Sequence, residues 1–239
     1  MEIEKAAYMV PVPIADGPVD RVIPHWNLEI IKGIKNYVVE NIRTARRMLK
    51  RMVPEIEIDG LTFYELNGHT PENEIRGYLE PLRKGEPIGI MSEAGCPGVA
   101  DPGARIVELA QEEGFKVVPL VGPSSILLSL MASGLNGQKF TFQGYLPVKD
   151  DERLKAIRGL EQESRRTGAT QIFIETPYRN EKMLESLLKN LHNDTKLCVA
   201  SDITAFEKEF IETHTVGEWK KKSFKLEKVP TIFLFNSHS

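Results

Sequence analysis

Between Ser92 and Gly103 the chain reads Ser-Glu-Ala-Gly-Cys-Pro-Gly-Val-Ala-Asp-Pro-Gly, with three glycines and two prolines in twelve residues. Such a stretch leaves main-chain N–H and C=O groups unobstructed, so a small polar molecule can lie against backbone. A second run of this kind, Gly122-Pro123-Ser124-Ser125, adds two hydroxyls. The competing role for those serines is helix capping, and one hydroxyl suffices for it. His69 and Glu74 are candidate catalytic or substrate-binding side chains, although a lone histidine beside a helix cap is more often structural. The run 41–52 carries Arg43, Arg46, Arg47, Lys50 and Arg51. A charge run usually marks a solvated helix face; the sharper reading is a patch that faces phosphate.

The elements that would position these residues follow from pattern. Ala6 to Ile14 reads as a first strand that leaves its sheet at Pro11, and Pro24 to Ile34 has helical spacing. Asn36 to Val39 reads as a second strand that delivers Glu40, and a helix follows over 41–52. Leu61 to Leu66 alternates as a strand, and Thr70 with Pro71 predicts a cap and a helix to about Leu82. The run 88–91 enters the first loop as a strand, and Asp101-Pro102 predicts an N-cap with Pro at the first helical position. Phe115 to Val121 is another strand, and Ser125 to Ser133 a mostly apolar, buried helix that stops at Gly134. Strand, helix, strand, helix is the pattern of a parallel doubly wound sheet, and ligands bind such sheets at the carboxyl ends of the strands. Pro147 to Asp151 reads as a linker, so the expected domains are 1–147 and 148–239. The second half alternates helices and strands, with strands expected at Thr170 to Glu175, Lys196 to Ser201 and Val229 to Phe235.

Composition narrows the classes. The 239 residues carry a net charge of −3, so a nucleic-acid partner would need a local basic patch. Cys96 and Cys198 are far apart, which speaks against a disulfide scaffold and against a metal site. Met1 to Tyr8 is charged, without an apolar signal segment, and no apolar run approaches a membrane span of about 20 residues. The expectation is a soluble cytoplasmic protein with no membrane association.

These motifs, in this order, resemble the tetrapyrrole methylase superfamily of S-adenosylmethionine-dependent methyltransferases. The nearest branch methylates a cytidine ribose 2′-hydroxyl in small-subunit ribosomal RNA. Ser92 to Gly103 matches that branch's glycine-proline motif, and Val118 to Ser125, Ala132 to Leu135 and Phe142 to Pro147 follow in register. Glu175-Thr176-Pro177-Tyr178-Arg179 looks like its Glu-Ser-Pro-His-Arg, and Ala200 to Trp219 like its Ala-Arg-Glu-Leu-Thr segment. Val10 to Ile14 and Glu40 to Thr44 fit its Thr-Pro-Ile-Gly-Asn and Glu-Asp-Thr-Arg motifs. The chain departs from the branch at Glu93 (Asp there), Cys96 (Thr), Asn41 (Asp), Ala15-Asp16 (Gly-Asn) and Ser201-Asp202 (Arg-Glu), and it is shorter than typical members.

The resemblance implies two α/β domains, the N-terminal one a parallel doubly wound sheet and the C-terminal one a mixed sheet. S-adenosyl-L-methionine is then expected in a cleft between them, in a homodimer. By the same resemblance the donor touches Pro13, Gly95, Cys96, Pro97, Val99, Ser124, Ser125, Thr176, Pro230 and Thr231. A ribose hydroxyl is a poor nucleophile at neutral pH, so a base should assist it. Glu40, oriented by Arg43, is the expected catalytic pair; Arg43 could alternatively hold an acceptor phosphate. The bland reading of the pair is a first-turn helix contact worth about 0.2–0.5 kcal/mol. Ribosomal RNA is the expected acceptor. A tetrapyrrole or other small-molecule acceptor, or a non-catalytic donor-binding protein, are the competing readings.

Overall fold

The computed structural model describes residues 3–237, and the chain divides into two compact units between Ser124 and Ser125. In the first unit, β1 (Ala7–Met9), α1 (His25–Gly33), β2 (Asn36–Val39), α2 (Ile42–Met52) and β3 (Thr62–Glu65) come in turn. The short helical pieces α3 (Glu72–Ile75) and α4 (Glu80–Arg83) follow, then β4 (Ile88–Met91), α5 (Gly103–Glu112) and β5 (Val117–Pro119). The five strands form one sheet in the order β3-β2-β4-β1-β5, parallel throughout.

Alternation along the strands builds a core on each face of this sheet. Tyr8, Tyr37, Val39 and Met91 point to one face, with Ile30 and Ile31 of α1 and Ala45 and Leu49 of α2. Ala7, Met9, Val38, Ile88 and Ile90 point to the other, with Ile75, Leu79 and Leu82 and with Ile106 and Leu109 of α5. Strands covered on both faces read as near-continuous apolar runs, and β1, β2 and β4 are buried throughout, with Asn36 at the start of β2 bonded to Glu86 at 3.0 Å. The chain leaves β1 toward β2 and leaves β4 toward β5, in opposite directions across the sheet. Right-handed crossovers therefore put α1 and α5 on opposite faces, with a switch point at the adjacent ends of β1 and β4.

The second unit contains α6 (Ser125–Ser133), β6 (Phe140–Tyr145), α7 (Asp150–Thr167), β7 (Thr170–Glu175), α8 (Asn180–Asn190), β8 (Lys196–Ser201), β9 (Phe210–Thr215), α9 (Val216–Trp219) and β10 (Thr231–Asn236). Its sheet is mixed, ordered β6-β7-β10-β8-β9: β6 runs parallel to β7, and the other neighbours are antiparallel. Phe173, Phe233 and Phe235 meet Ile157 of α7, Leu187 of α8 and Trp219 of α9 on one face. The short helix α6 packs against β9 and β10, with the Thr213 hydroxyl donating to the Ser133 carbonyl at 2.8 Å.

Two expectations need correction. The boundary lies at Ser124, not at Pro147, because β6 pairs with β7 and α6 packs on the second sheet. The Pro147–Asp151 stretch resembled a linker only in composition: Leu146 is buried in the second core, and α7 begins at Asp150. The helix expected from Thr70 to Leu82 is broken by a 3-10 turn at Arg76–Leu79, and its first piece is flanked by Pro71 without a side-chain cap. Thr70 instead accepts from the Asn67 N–H at 3.0 Å and donates to the Glu65 carbonyl, which closes the turn after β3.

Candidate active site

All five strands of the first unit end at the same edge, so the loops after β1, β2, β4 and β5 gather there. Main-chain contacts tie three of them together. Val12 N–H donates to Gly95 O at 3.0 Å and Gly95 N–H to Val12 O at 3.1 Å, an antiparallel bridge between the loops after β1 and β4. The Cys96 thiol donates to the Pro123 carbonyl at 3.3 Å and lies 3.7 Å from that of Gly122, which adds the loop after β5. Buried Asn27 of α1 holds that third loop by donating to the Val121 carbonyl at 2.7 Å. Two glycines are needed for this convergence. A Cβ on Gly122 would lie 2.2 Å from Pro11 Cβ, and Gly95 has φ +75° with Pro123 O 3.2 Å from where a Cβ would sit.

The loop after β4 continues through Gly98 and Ala100, whose φ values are +80° and +61°. A left-handed alanine is uncommon and is held here by Asp101, whose Oδ1 accepts from Gly103 N–H at 2.7 Å. The expected capping by Asp101 is thus present, but α5 begins at Gly103 and Pro102 precedes its first helical residue. Asp101 Oδ2 is buried without a hydrogen-bond partner among the described residues. Burial pushes the Asp101 carboxyl above the ordinary aspartate range, against the pull of nearby backbone N–H groups.

Glu40, delivered by β2, accepts from the Glu93 N–H at 3.1 Å and so joins the loop after β4. Burial raises its pKa above the ordinary glutamate value; the Glu93 N–H pulls the other way, and the Asp101 and Glu93 charges reinforce the rise. The Glu40–Arg43 pairing expected from the sequence does not form. Arg43 is exposed and makes no hydrogen bond or ion pair among the described residues. Its neighbours on α2 divide similarly: Arg46 bonds Asp59 at 2.7 Å, Lys50 the Ile56 carbonyl and Arg51 the Gly17 carbonyl, whereas Arg47 is exposed and unpaired among the described residues. The solvated-face reading thus fits the basic residues that have partners and leaves Arg43 and Arg47 over. His69 and Glu74 are exposed, outside the tied loops.

Two departures from the branch acquire physical roles. Asn41 caps α2 by accepting from Thr44 N–H at 3.0 Å, a task that Asn and Asp perform equally well. Burial pushes the Cys96 thiol up, so it stays protonated and donates to carbonyls as a hydroxyl would. Among the other expected donor contacts of this unit, Pro13, Gly95 and Pro97 are buried, Val99 is half exposed, and Ser124 is partly buried. Ser125 opens the second unit as the first residue of α6.

The remaining expected contacts lie in the second unit, and its register brings them together. Thr231 pairs with Glu175 on one side and Ser201 on the other, and Ser201 pairs with Phe210. Thr176 directly follows Glu175, and Pro230 directly precedes Thr231. Buried Glu175 clamps Arg179 (Nε–Oε1 2.8 Å), and the Thr176 hydroxyl accepts from the same guanidinium at 3.1 Å. Asn180, 1% exposed, donates to the Val229 carbonyl at 2.7 Å and to the Thr231 hydroxyl at 2.9 Å. The neighbouring loop 202–209 carries non-glycine positive φ values at Asp202, Thr204 and Glu207, and a β-branched residue at +70° is a true outlier. Sequence reading missed this strain, and it missed the loop Lys220–Lys228, where five lysines meet one glutamate. Lysine spacing was the available signal for the second.

Among the described residues, no group of three His, Cys, Asp or Glu side chains is disposed to hold a metal ion, and no helix is long and apolar enough to cross a membrane.

A parallel sheet whose carboxyl edge presents glycine-bearing main-chain loops at a switch point belongs to the α/β proteins that bind nucleotide-like ligands there. The pattern of the tetrapyrrole (corrin/porphyrin) methylases matches residues 31–219, and the chain belongs to that family of methyltransferases. Ribosomal RNA small subunit methyltransferase I of Escherichia coli O157:H7 is 29% identical over 234 residues, 97% of this chain and 77% of its own length. The proteins of the same name from Mesorhizobium japonicum and Bacillus subtilis are 32% and 31% identical, over 84% and 85% of this chain and 65% of their own lengths. The chain thus spans about two thirds to three quarters of these relatives. Among solved structures, the methyltransferase CobJ superposes with a TM-score of 0.59 at 16% identity, covering 91% of this chain and 89% of its own. Uroporphyrin-III-C-methyltransferase from Thermus thermophilus gives 0.56 at 14% identity, covering 97% and 94%. At such identities these two structures speak for the fold alone.

Proposed function

We propose that the chain is an S-adenosylmethionine-dependent methyltransferase that modifies a ribose 2′-hydroxyl, that of a cytidine, in small-subunit ribosomal RNA. The observation that carries the reading is the cradle of three loops joined at Gly95 and Cys96, with the Glu40 carboxylate fixed beside it. The acceptor is taken from the relatives, which are named for ribosomal RNA of the small subunit.

The residues present fit such a donor. It is cationic at its sulfonium and ammonium groups, and the cradle offers carboxylate oxygens on Glu40 and Asp101, one of them buried without a partner among the described residues. Bound there, the donor would supply an electrophilic methyl group. Pro13, Gly95, Cys96, Pro97, Val99, Ser124 and Ser125 would hold it, largely through main chain and hydroxyls, and would exclude water. Thr176, Pro230 and Thr231 carry the same assignment by resemblance. Two of those hydroxyls have internal partners: Thr231 hydrogen-bonds Asn180 and Val229, and Thr176 accepts from Arg179. For these two, the peptide groups are the parts left for binding.

Glu40 would take the proton of the acceptor hydroxyl as that oxygen attacks. Its Oε1 is anchored by the Glu93 N–H, which fixes the carboxylate without neutralising it, and burial raises its basicity. Arg43 and Arg47, lacking internal partners, would meet acceptor phosphates rather than orient Glu40. We further propose action in the cytoplasm as a homodimer, which light scattering would detect at twice the 27.0 kDa chain mass.

The test is transfer of a labelled methyl group to undermethylated small ribosomal subunits, with mass mapping of the RNA. A methylated cytidine ribose is expected. Label on a tetrapyrrole alone would replace the acceptor, and failure to bind either donor or demethylated donor in calorimetry would remove the donor-dependent reading.

A further inference from the structure

We propose that the second unit holds its own grip on single-stranded acceptor RNA, with Tyr178 as the base-stacking platform and Lys225 and Lys228 as the phosphate contacts. This rests on the ribosomal RNA reading above and adds to it side chains that the donor assignment does not use, on the edge that also carries Thr176, Pro230 and Thr231.

Three of the exposed aromatic side chains collect along one edge of the second sheet. Tyr178 is 85% exposed, Phe206 59% and Tyr145 57%. Tyr145 ends β6, Tyr178 lies in the loop after β7, and Phe206 lies in the loop after β8. The register row Glu175–Thr231–Ser201–Phe210 shows that these loops leave the sheet on one side. Exposing a tyrosine ring this fully forfeits its burial, and a ring offered to solvent suits an unstacked base, which presents an apolar face.

The backbone that carries the ring is also anchored on its C-terminal side. Glu175 clamps Arg179 next to it, and Asn180 ties the first turn of α8 to Val229 and Thr231. One staple therefore fixes the loop after β7 against the loop before β10. That second loop is the lysine-rich one. Lys228 lies 5.7 Å from the Tyr178 ring centroid, a cation within one nucleotide's reach of the stacking surface. Leu226 is buried and Phe224 stacks on Phe210 at 4.8 Å, which pins the loop while Lys225 between them stays exposed and unpaired among the described residues. An exposed aromatic on an anchored loop, with one ammonium group beside it and a second on the same lysine-rich loop, is a combination by which proteins bind single strands without reading sequence.

The experiment uses the full chain and small ribosomal subunits. Tyr178→Ala should raise KM for the subunit about tenfold to a hundredfold with little change in kcat, and Tyr178→Phe should restore it. Lys225→Ala with Lys228→Ala should flatten the slope of log affinity against log salt by about 1.4 units, about 0.7 for each phosphate contact, read by anisotropy of a labelled single-stranded oligoribonucleotide. Calorimetry with demethylated donor should be unchanged in all three variants, which excludes misfolding. An unaltered KM in Tyr178→Ala overturns the proposal while leaving the methyltransferase reading intact. So does a shift in oligomeric state, which would make this edge a contact between copies. Absence of methylation by the parent protein, with no binding of the oligoribonucleotide, would defeat both readings together.

Discussion

The two units fasten their loops by opposite means. In the first, peptide groups are met directly: Val12 bridges Gly95, Cys96 and Asn27 reach carbonyls, and Glu40 reaches the Glu93 N–H. In the second, side chains bind the loops: Glu175 to Arg179, and Asn180 to Val229 and Thr231. A parallel sheet brings successive carboxyl ends to one edge, so its loops can touch through backbone. The antiparallel part of the second sheet alternates strand ends, and there reaching side chains supplement the backbone bond from the Asp202 N–H to the Pro230 carbonyl at 3.0 Å. The first arrangement should tolerate side-chain changes that leave its glycines alone, and the second should not.

The comparison can be broken most sharply at Glu40, the side chain that joins the cradle from β2. Glu40→Gln keeps an acceptor for Glu93 N–H but loses the base, and kcat should fall about a hundredfold or more. In the parent, kcat/KM should rise with pH as the carboxylate forms, in a window displaced above the ordinary glutamate range. The variant should lose that limb. The linked effect on stability has the opposite sign. A carboxyl whose pKa is raised on folding binds more protons in the native state, so its contribution declines as pH rises through the same window. A stability curve that instead rises there would contradict the buried assignment.

Asn180→Ala should be next, removing the donor to Val229 and Thr231 at the start of β10 and leaving buried acceptors unpaired. About 2–4 kcal/mol should be lost in chemical denaturation, because each stranded buried group costs about 1–3 kcal/mol. Gly122→Val places branched carbon against Pro11 and should cost about 1–3 kcal/mol by overpacking, with donor affinity falling in calorimetry. Cys96→Val removes one weak donor and should cost only about 0.5–1.5 kcal/mol, whereas Cys96→Ser should be close to neutral. At the small end, Asn41→Asp should leave stability and activity unchanged, and Asn41→Ala should cost about 1 kcal/mol. If Gly122→Val proved harmless while Asn180→Ala destroyed donor binding in the first unit, the contrast would be wrong.

Much of this was legible in the residues. The Ser92–Gly103 run, the strand that delivers Glu40 and the parallel order of the first sheet follow from apolar runs punctuated by Gly and Pro. The boundary was not legible, because α6 begins at Ser125 directly after a ligand-type loop and nothing in composition changes there. The contact expected between Glu40 and Arg43 came from the resemblance and does not form, because Glu40 lies outside the helix and turns to a backbone N–H in the loop after β4. The edge with Tyr178 and Lys228 depends on which loops the register brings side by side, and that is a property of pairing rather than of any short segment.

Cys198 is sealed within β8, its thiol pushed up to about 11 by burial, while Cys96 sits partly open among the three loops. Of the two thiols, the accessible one therefore lies at the meeting point of the cradle. Its S–H stretching frequency is set by the Pro123 carbonyl that it faces. Infrared spectroscopy of the unlabelled protein would thus show two S–H bands, and any guest that disturbs the loops should announce itself as a shift in the Cys96 band while the sealed Cys198 band stays as a reference.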